Sequence, residues 1–251
     1  MNTLPIATPP WTALGRKLES MCRKGLYDFS LLDGVEHLGI ALSGGKDSLA
    51  LLFLLKAIMG RGFPNIPITA FHVTGAFSCG ASVHLPFIKG ICKEMGVELI
   101  IREVEQNRDT LECYSCSRAR RKAIFDAAKE VGCTTVAFGH HKDDAVQTFL
   151  MNMLHKGEFA GNLPKVAMKD YGVTIIRPLI YLSEKEIVEF AKMYGFTRVT
   201  CQCPVGQNSL RKQTKEMLAE MTKLYPNALN NLASIAQTHG LKKALVPTKK
   251  A

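Results

Sequence analysis

The chain has 251 residues, of which 47% are hydrophobic and 22% charged, the balance of a globular protein with one large domain. No secretory signal opens the sequence, and the longest apolar run, Leu49 to Met59, is interrupted by Lys56 and too short to span a membrane. A cytoplasmic protein with no membrane partner is therefore expected. The formal charge of +10 is compatible with an ordinary basic surface, and it also favours a polyanionic partner such as nucleic acid.

Runs rich in β-forming residues alternate with helical stretches along most of the chain. An amphipathic segment over Trp11–Phe29 predicts an N-terminal helix. The predicted strands are His37–Leu42, Ile66–Val73, Val97–Val104, Thr134–Phe138 and Val173–Arg177. The predicted helices between and after them are Lys46–Met59, Val83–Met95, Ser117–Val131, Lys142–Leu154 and Glu184–Met193. This alternation indicates βαβ units and an α/β fold, an open parallel sheet flanked by helices.

No linker divides the chain into two large domains. We expect an N-terminal helical segment over residues 1–34, an α/β domain over 35–200, and a cysteine-containing helical segment over 201–251. Helices are predicted in the last segment at Leu210–Leu224 and Ala228–Gln237. Ligands of open α/β sheets bind beyond the carboxyl ends of the strands, so the loops at those ends are the candidates for chemistry.

The loop after the first predicted strand has the sequence S-G-G-K-D-S. Its residues are Ser43, Gly44, Gly45, Lys46, Asp47 and Ser48. Glycines allow a tight turn, the amides that open a helix bind anions, and Lys46 adds a point charge for phosphate. The loop matches neither a Walker A sequence nor a G-x-G-x-x-G fingerprint. The alternative is a plain strand–helix turn that is rich in glycine.

A second polar run, Gly139 to Asp144, follows the fourth predicted strand. It contains His140 and His141, then Asp143 and Asp144 at the start of a helix. Carboxylates beside a phosphate site can hold Mg²⁺. The same carboxylates can equally cap the helix and complement its dipole.

The eight cysteines include one C-x-x-C pair, Cys113 and Cys116, and a later C-x-C pair, Cys201 and Cys203. The first pair immediately precedes the helix predicted from Ser117, where a helix N-terminus and neighbouring arginines lower thiol pKa values. Three kinds of site remain open: a zinc site, a redox pair and an iron–sulfur cluster with three cysteines. Spacing alone slightly favours zinc.

The S-G-G-K-D-S loop resembles the PP-loop of the ATP pyrophosphatases, enzymes of adenine nucleotide alpha-hydrolase-like fold. The resemblance implies that Ser43–Ser48 cradle the pyrophosphate of ATP, which is cleaved between the α and β phosphates. It also implies that the adenine lies against the end of the second strand, where His72 and Val73 stand. A buried strand end that binds nothing is the competing interpretation of those two residues.

Across about Lys17 to Thr238 the chain resembles the tRNA 2-thiocytidine synthetase family. The matching strings include C-Y-S-C-S-R-A-R-R from Cys113, G-H-H-K-D-D from Gly139 and I-R-P-L from Ile176. The resemblance implies that Gly139 and His140 belong to the nucleotide site and that Asp144 binds Mg²⁺.

The same resemblance implies a [4Fe-4S] cluster held by Cys113, Cys116 and a later cysteine. The family usually has C-x-x-C at the later site, whereas this chain has Cys201-Gln202-Cys203. Alignment back from Arg211 favours Cys203 as the third ligand, and Cys201 is the alternative. The catalytic residues implied are Lys46, Asp47 and the cysteines Cys113, Cys116 and Cys203.

The implied reaction adenylates the C2 oxygen of a cytidine in a tRNA anticodon loop and replaces it with sulfur. The sulfur comes from a donor such as a cysteine desulfurase or sulfide, and the family is compatible with a homodimer. Basic residues that could contact tRNA phosphates are Arg118, Arg120, Arg121, Lys122 and Arg177. Alternatives are 2-thiouridine or lysidine formation, a zinc-stabilised tRNA-binding protein without catalysis, and sulfur transfer to a small molecule.

Overall fold

The structure is a computed structural model that describes residues 4–75, 85–105, 113–196 and 210–239. Its helices are α1 (Ala13–Asp28), α2 (Lys46–Ile58), α3 (Leu85–Glu94), α4 (Cys113–Glu130), α5 (Lys142–Lys156), α6 (Glu184–Tyr194), α7 (Leu210–Leu224) and α8 (Ala228–His239). Its strands are β1 (Leu38–Ala41), β2 (Ile68–Thr74), β3 (Glu98–Glu103), β4 (Thr135–Ala137), β5 (Lys165–Met168) and β6 (Val173–Ile176).

The strands form one sheet in the order β3-β2-β1-β4-β6-β5. All neighbouring strands are parallel except β5, which pairs antiparallel with β6 at the edge. Because β1 pairs with β2 on one side and with β4 on the other, the chain reverses its direction of winding at β1. The crevice at such a switch point is where open α/β sheets bind ligands, and the S-G-G-K-D-S loop lies there.

Helices cover both faces of the sheet. On one face α1, α2, α3 and α6 pack around a large apolar cluster that includes the leucine-rich α2. On the other face α4 packs on β2, β4 and β6 through a second cluster that includes Phe71, Phe125 and Val136. Burial on both faces explains why the parallel strands are apolar without clear alternation.

The C-terminal helices α7 and α8 pack against α5 through a third, smaller apolar cluster. It contains Val146 and Leu150 of α5, Leu218 of α7 and Ala233 of α8. This packing brings the start of α7 close to the end of the sheet that carries the loops. Within the described ranges, no helix has the length and apolar character that crossing a membrane requires.

The predicted α/β architecture is confirmed, with two corrections. The edge strand β5 is absent from the prediction, because its four residues, only partly buried or exposed, give no apolar pattern. The helix predicted to begin at Ser117 begins at Cys113 instead, so the C-x-x-C pair forms its first turn and does not precede it. No glycine or proline separates Cys113 from Ser117, and nothing in that stretch stops the helix.

Candidate active site

A cavity of about 560 Å³ opens at the carboxyl ends of β1, β2 and β4. This volume lies in the range of small-molecule and cofactor sites. Residues from five separate parts of the chain line it: Ser43, Asp47 and Ser48; Phe71 and Val73; Cys116, Arg120 and Ile124; Phe138, Gly139, His140 and Asp144; and Arg211. The two polar loops and the C-x-x-C helix that the sequence singles out therefore meet at one site.

The hydroxyl groups of the S-G-G-K-D-S loop hold its shape. The buried Ser48 Oγ accepts from the Gly44 amide at 3.1 Å, donates to the Gly45 carbonyl oxygen at 3.0 Å, and lies 3.1 Å from Ser43 Oγ. Gly44 has φ +83°, a left-handed conformation that glycine adopts without steric cost. The loop is thus pre-formed, and α2 begins within it at Lys46, so that the amides of the first turn of α2 lie beside the cavity.

Lys46 lies between two carboxylates at the start of α2. Its Nζ is 3.0 Å from Asp47 Oδ2 and 3.5 Å from Glu184 Oε1. Burial opposes the charged form, but the two carboxylates outweigh it and raise the pKa of Lys46 above its ordinary value. Lys46 is therefore a fixed cation within the anion-binding loop, held beside Asp47, which lines the cavity.

The two aspartates of the second polar run have different partners. Asp143 Oδ2 accepts from the backbone amide of Glu184 at 2.8 Å, and so caps α6. Asp144 Oδ2 accepts from the His141 amide at 3.1 Å, while Oδ1 lies 2.9 Å from Arg211 Nη1 in the cavity wall. Asp144 therefore caps α5, as predicted, and also presents an oxygen to the cavity, while its role in binding Mg²⁺ stays a prediction.

The two adjacent histidines differ in charge. Burial, reinforced by the positive charge of Arg177, lowers the pKa of His140 to about 3, and its ring stacks on Phe138 with centroids 5.8 Å apart. Burial also opposes the charged form of His141, but Asp143, Asp144 and Asp47 outweigh it and raise its pKa. His140 is therefore a neutral residue in the wall of the cavity, whereas the carboxylates around His141 favour its charged form.

Val73 lines the cavity, whereas the side chain of His72 is buried behind the strand end. His72 Nδ1 lies 2.7 Å from the carbonyl oxygen of Leu42, and burial lowers the pKa of His72. The ring therefore connects the end of β2 to the start of the S-G-G-K-D-S loop.

Of the cysteines implied as cluster ligands, Cys116 lies in the cavity wall and is only partly buried. Cys113 is the first residue of α4, and Cys201 and Cys203 lie outside the described residues. Elsewhere, burial raises the pKa of Cys22 to about 12 and that of Cys92 to about 11. Those two thiols are apolar core groups and not thiolate ligands.

The basic residues proposed for tRNA do not form one surface. Arg118 and Lys122 are exposed, Arg121 and Arg120 are partly buried, and Arg120 Nη2 donates to the Val73 carbonyl oxygen at 3.3 Å inside the cavity. Arg177 is 7% exposed and donates to the carbonyl oxygen of Leu163 at 2.5 Å. Burial lowers the pKa of Arg177 to about 10, and its buried position does not fit the predicted contact with a tRNA phosphate.

Two charged residues at or beside the site are absent from the sequence prediction. Arg211 lines the cavity and pairs with Asp144, 67 residues earlier in the chain. Glu184 connects Lys46 to Lys215, whose Nζ is 2.7 Å from Glu184 Oε2. Both are charged residues on helix surfaces in the sequence, and only the packing of α6 and α7 around α2 and α5 brings them to the site.

The carboxylates suit a magnesium ion that arrives with phosphates. In the described ranges, no group of three or more His, Cys, Asp or Glu side chains converges as a complete metal site. Mg²⁺ usually takes one or two carboxylates, substrate phosphates and waters. Asp144 faces the cavity, and the buried Oδ1 of Asp47 has no hydrogen-bond partner within the part of the chain described, so these two groups fit that requirement.

A family model described as PP-loop domain matches residues 13–211 of the chain. The tRNA-cytidine(32) 2-sulfurtransferase of Ralstonia nicotianae is 34% identical over 233 residues, which cover 89% of this chain and 74% of that protein. The enzyme of the same name from Geobacter metallireducens is 32% identical over 245 residues, covering 92% and 94% of the two chains. These matches span the cavity, both polar loops and the C-x-x-C helix.

Two solved structures share the fold. The U34-tRNA thiolase NcsA from Methanococcus maripaludis, with its [4Fe-4S] cluster, has a TM-score of 0.73 at 24% identity and covers 89% of this chain and 78% of its own. The NMN synthetase from Francisella tularensis has a TM-score of 0.51 at 13% identity, covering 93% and 98%. By its sequence and by the loop that organises this cavity, the chain belongs to the PP-loop domain family and, within it, to the tRNA-cytidine(32) 2-sulfurtransferases.

Proposed function

We propose that this chain is an ATP-dependent tRNA sulfurtransferase that converts cytidine 32 of tRNA to 2-thiocytidine. The observation that carries the proposal is a single cavity that joins an anion-binding loop, with Lys46 beside it, to Cys116 on α4. ATP activation and sulfur transfer need these two kinds of group side by side. The names of the relatives, which are at least 32% identical, supply the substrate.

The first step activates the base. The C2 oxygen of cytidine attacks the α-phosphorus of ATP, an O–P bond forms, and the bond to the β-phosphate breaks to release pyrophosphate. The amides of the loop and of the first turn of α2 would bind the phosphate oxygens, and Lys46 would stabilise the charge on the departing pyrophosphate. Asp144 and Asp47 would hold Mg²⁺ against the same phosphates.

The second step replaces oxygen with sulfur. A sulfide nucleophile forms a bond to C2, the C2–O bond breaks, and AMP leaves with the original oxygen. Cys113, Cys116 and either Cys203 or Cys201 would hold a [4Fe-4S] cluster, which presents the sulfur when bound. Cys116, which lines the cavity, would hold the sulfur donor at that side of the site. The neutral His140 and Phe138 form an apolar wall that would limit hydrolysis of the adenylate by water.

The tRNA would approach across the exposed first turns of α4. Arg118 and Lys122 are exposed there, while Arg120 and Arg121 extend to the cavity wall. A base in a single-stranded loop can be turned out of its stack to reach such a cavity. Action on tRNA also supports the predicted cytoplasmic location, while the sulfur donor, a homodimer and the three-segment division of the chain remain predictions.

The products of the reaction distinguish the proposed activity from its alternatives. The assay mixes the chain with ATP, Mg²⁺, sulfide and tRNA that is not yet thiolated. We expect the reaction to release AMP and pyrophosphate in equal amounts, and only when tRNA is present. A lysidine-type ligase would need free lysine, and a non-catalytic tRNA-binding protein would release no AMP. Release of ADP and phosphate in place of AMP and pyrophosphate would contradict the proposed activation step.

A further inference from the structure

The helix α7 contributes an arginine to the cavity that the reaction as described does not use. Arg211 Nη1 is 2.9 Å from Asp144 Oδ1, and Nη2 is 3.3 Å from Thr148 Oγ1. The side chain of Arg211 lines the same cavity as Ser43 and Ser48 of the anion-binding loop. It is 45% exposed, so it has room to change its partner.

A second cation of α7 lies one turn further along the helix. Lys215 Nζ is 2.7 Å from Glu184 Oε2, and Glu184 Oε1 is 3.5 Å from Lys46 Nζ. Residues four positions apart lie on the same face of a helix. One face of α7 is therefore paired with carboxylates that surround the loop.

The charges around the loop favour a change of partners when a polyphosphate enters. Asp47, Asp144 and Glu184 are carboxylates beside the loop, and a triphosphate would add negative charge in contact with them. Like charges at such distances repel strongly in a partly buried site. A guanidinium forms paired hydrogen bonds with phosphate as readily as with carboxylate, so Arg211 can neutralise the incoming group.

The position of Arg211 points to the terminal phosphates. Arg211 reaches Asp144 on α5, which follows β4, whereas the apolar lining residues Phe71 and Val73 belong to β2, on the opposite side of β1. The apolar side suits a base, and the loop between the two sides suits the pyrophosphate, so the phosphates of ATP would extend from β2 across the loop toward Arg211. The β- and γ-phosphates then lie nearest to Arg211.

We propose that Arg211 leaves Asp144 and binds the β- and γ-phosphates of ATP when the nucleotide enters. Lys215, on the next turn of α7, supports this binding with its positive charge. The inference rests on the proposed function, because it assumes that ATP is the ligand of this cavity. Arg211 would then be a residue selective for the terminal phosphates, and α7 would change its contacts when the nucleotide binds.

The test is binding of three ligands, a non-hydrolysable ATP analogue, AMP and pyrophosphate, measured by calorimetry on the full chain in the presence of Mg²⁺. We expect Arg211→Met to weaken binding of the ATP analogue and of pyrophosphate by about 10-fold or more, the size of a charged hydrogen-bonded pair. AMP, which lacks the terminal phosphates, should bind within about twofold of the wild-type affinity. Arg211→Lys should restore part of the loss.

Lys223→Met is the matched control, because Lys223 is an exposed cation of the same helix and pairs only with Glu220 among the contacts described. It should bind all three ligands as the wild type does. Equal weakening of AMP and ATP by Arg211→Met, or unchanged ATP binding, would overturn the inference. If the wild-type chain binds no ATP, the proposed function fails with it, so the two failures are distinguishable.

A second measurement avoids substitution altogether. In wild-type protein, hydrogen exchange of the α7 amides should slow on addition of the ATP analogue and remain unchanged on addition of AMP. The same protection with both nucleotides, or protection with neither, would contradict a role of α7 in binding the terminal phosphates.

Discussion

Gly139 lies in contact with the backbone of Asp47, across the boundary between the two polar loops. An ideal Cβ on Gly139 would come within 2.9 Å of the carbonyl carbon and oxygen of Asp47 and 3.0 Å of the Ser48 amide nitrogen. A real Cβ atom is essentially never found within 3.0 Å of backbone atoms in this way. The absence of a side chain at Gly139 therefore lets the loop after β4 pack against the first turn of α2.

We expect Gly139→Ala to move the two loops apart and to lower both stability and ATP affinity. The added methyl group meets rigid backbone, so the cost should be about 1–3 kcal/mol of the free energy of unfolding, as for overpacking in a core. Urea denaturation and ATP binding would measure the two effects. Gly161→Ala is the control, because its Cβ would meet its neighbours at an ordinary 3.7 Å. A Gly139→Ala variant with wild-type stability and affinity would show that this contact is unimportant.

The low pKa of His140 predicts a loss of stability in mild acid. The folded chain keeps His140 neutral down to about pH 3, whereas the unfolded chain protonates it below about 6.5. The unfolded state thus binds more protons, and the free energy of unfolding should fall by up to about 1.4 kcal/mol per pH unit as the pH drops below 6.5. His141 has a raised pKa, so its contribution is complete below 6.5 and is lost only at higher pH.

The lowered pKa values of Asp143, Asp144 and Glu184 add a loss only below their ordinary values near 4. Between about pH 6 and pH 5, the pH dependence of the free energy of unfolding therefore comes mainly from the histidines. In this range we expect His140→Gln to reduce the change in the free energy of unfolding with pH, measured by urea denaturation. A smaller slope should remain because the pKa of His72 is also lowered. An unchanged slope in His140→Gln would contradict the neutral state of His140.

Removing the cavity cysteine should remove the cluster. Protein purified without oxygen should contain about four irons and four acid-labile sulfides per chain, and Cys116→Ser should lose most of both. Cys92→Ala, which changes a buried thiol whose pKa is about 11, should keep its iron once corrected for folded protein. Stoichiometric zinc without sulfide would leave ATP activation in place and exclude the cluster. Iron retained in full by Cys116→Ser would exclude Cys116 as a ligand.

Lys46 should act in catalysis more than in folding. Lys46→Ala removes the cation that we propose stabilises the leaving pyrophosphate, and we expect thiolation to fall about 100-fold or more, the usual loss for one group that stabilises transition-state charge. Lys56→Ala changes another lysine of the same helix and should leave thiolation unchanged. Full activity of Lys46→Ala would remove Lys46 from the activation step.

Local signals in the sequence predict the sheet and both polar loops well. The S-G-G-K-D-S loop and Gly139 stand at the ends of apolar strands, where a glycine-rich turn into a helix is a short-range feature. Long-range packing is what local patterns miss. Arg211 meets Asp144 only because α7 packs on α5. Arg177 resembles a surface residue in the sequence, yet the fold buries it and pairs it with the carbonyl oxygen of Leu163. The edge strand β5 is too short and too exposed for its own pattern to reveal it.

The most direct test of the account is nucleoside analysis of tRNA. Unmodified tRNA is incubated with the reconstituted chain, ATP, Mg²⁺ and sulfide without oxygen, then digested and analysed by mass spectrometry. We expect 2-thiocytidine at position 32, formed in step with AMP and absent when ATP is omitted or when cytidine 32 is changed to uridine. Sulfur found in a uridine, or no thiolated nucleoside despite ATP binding and a complete cluster, would contradict it.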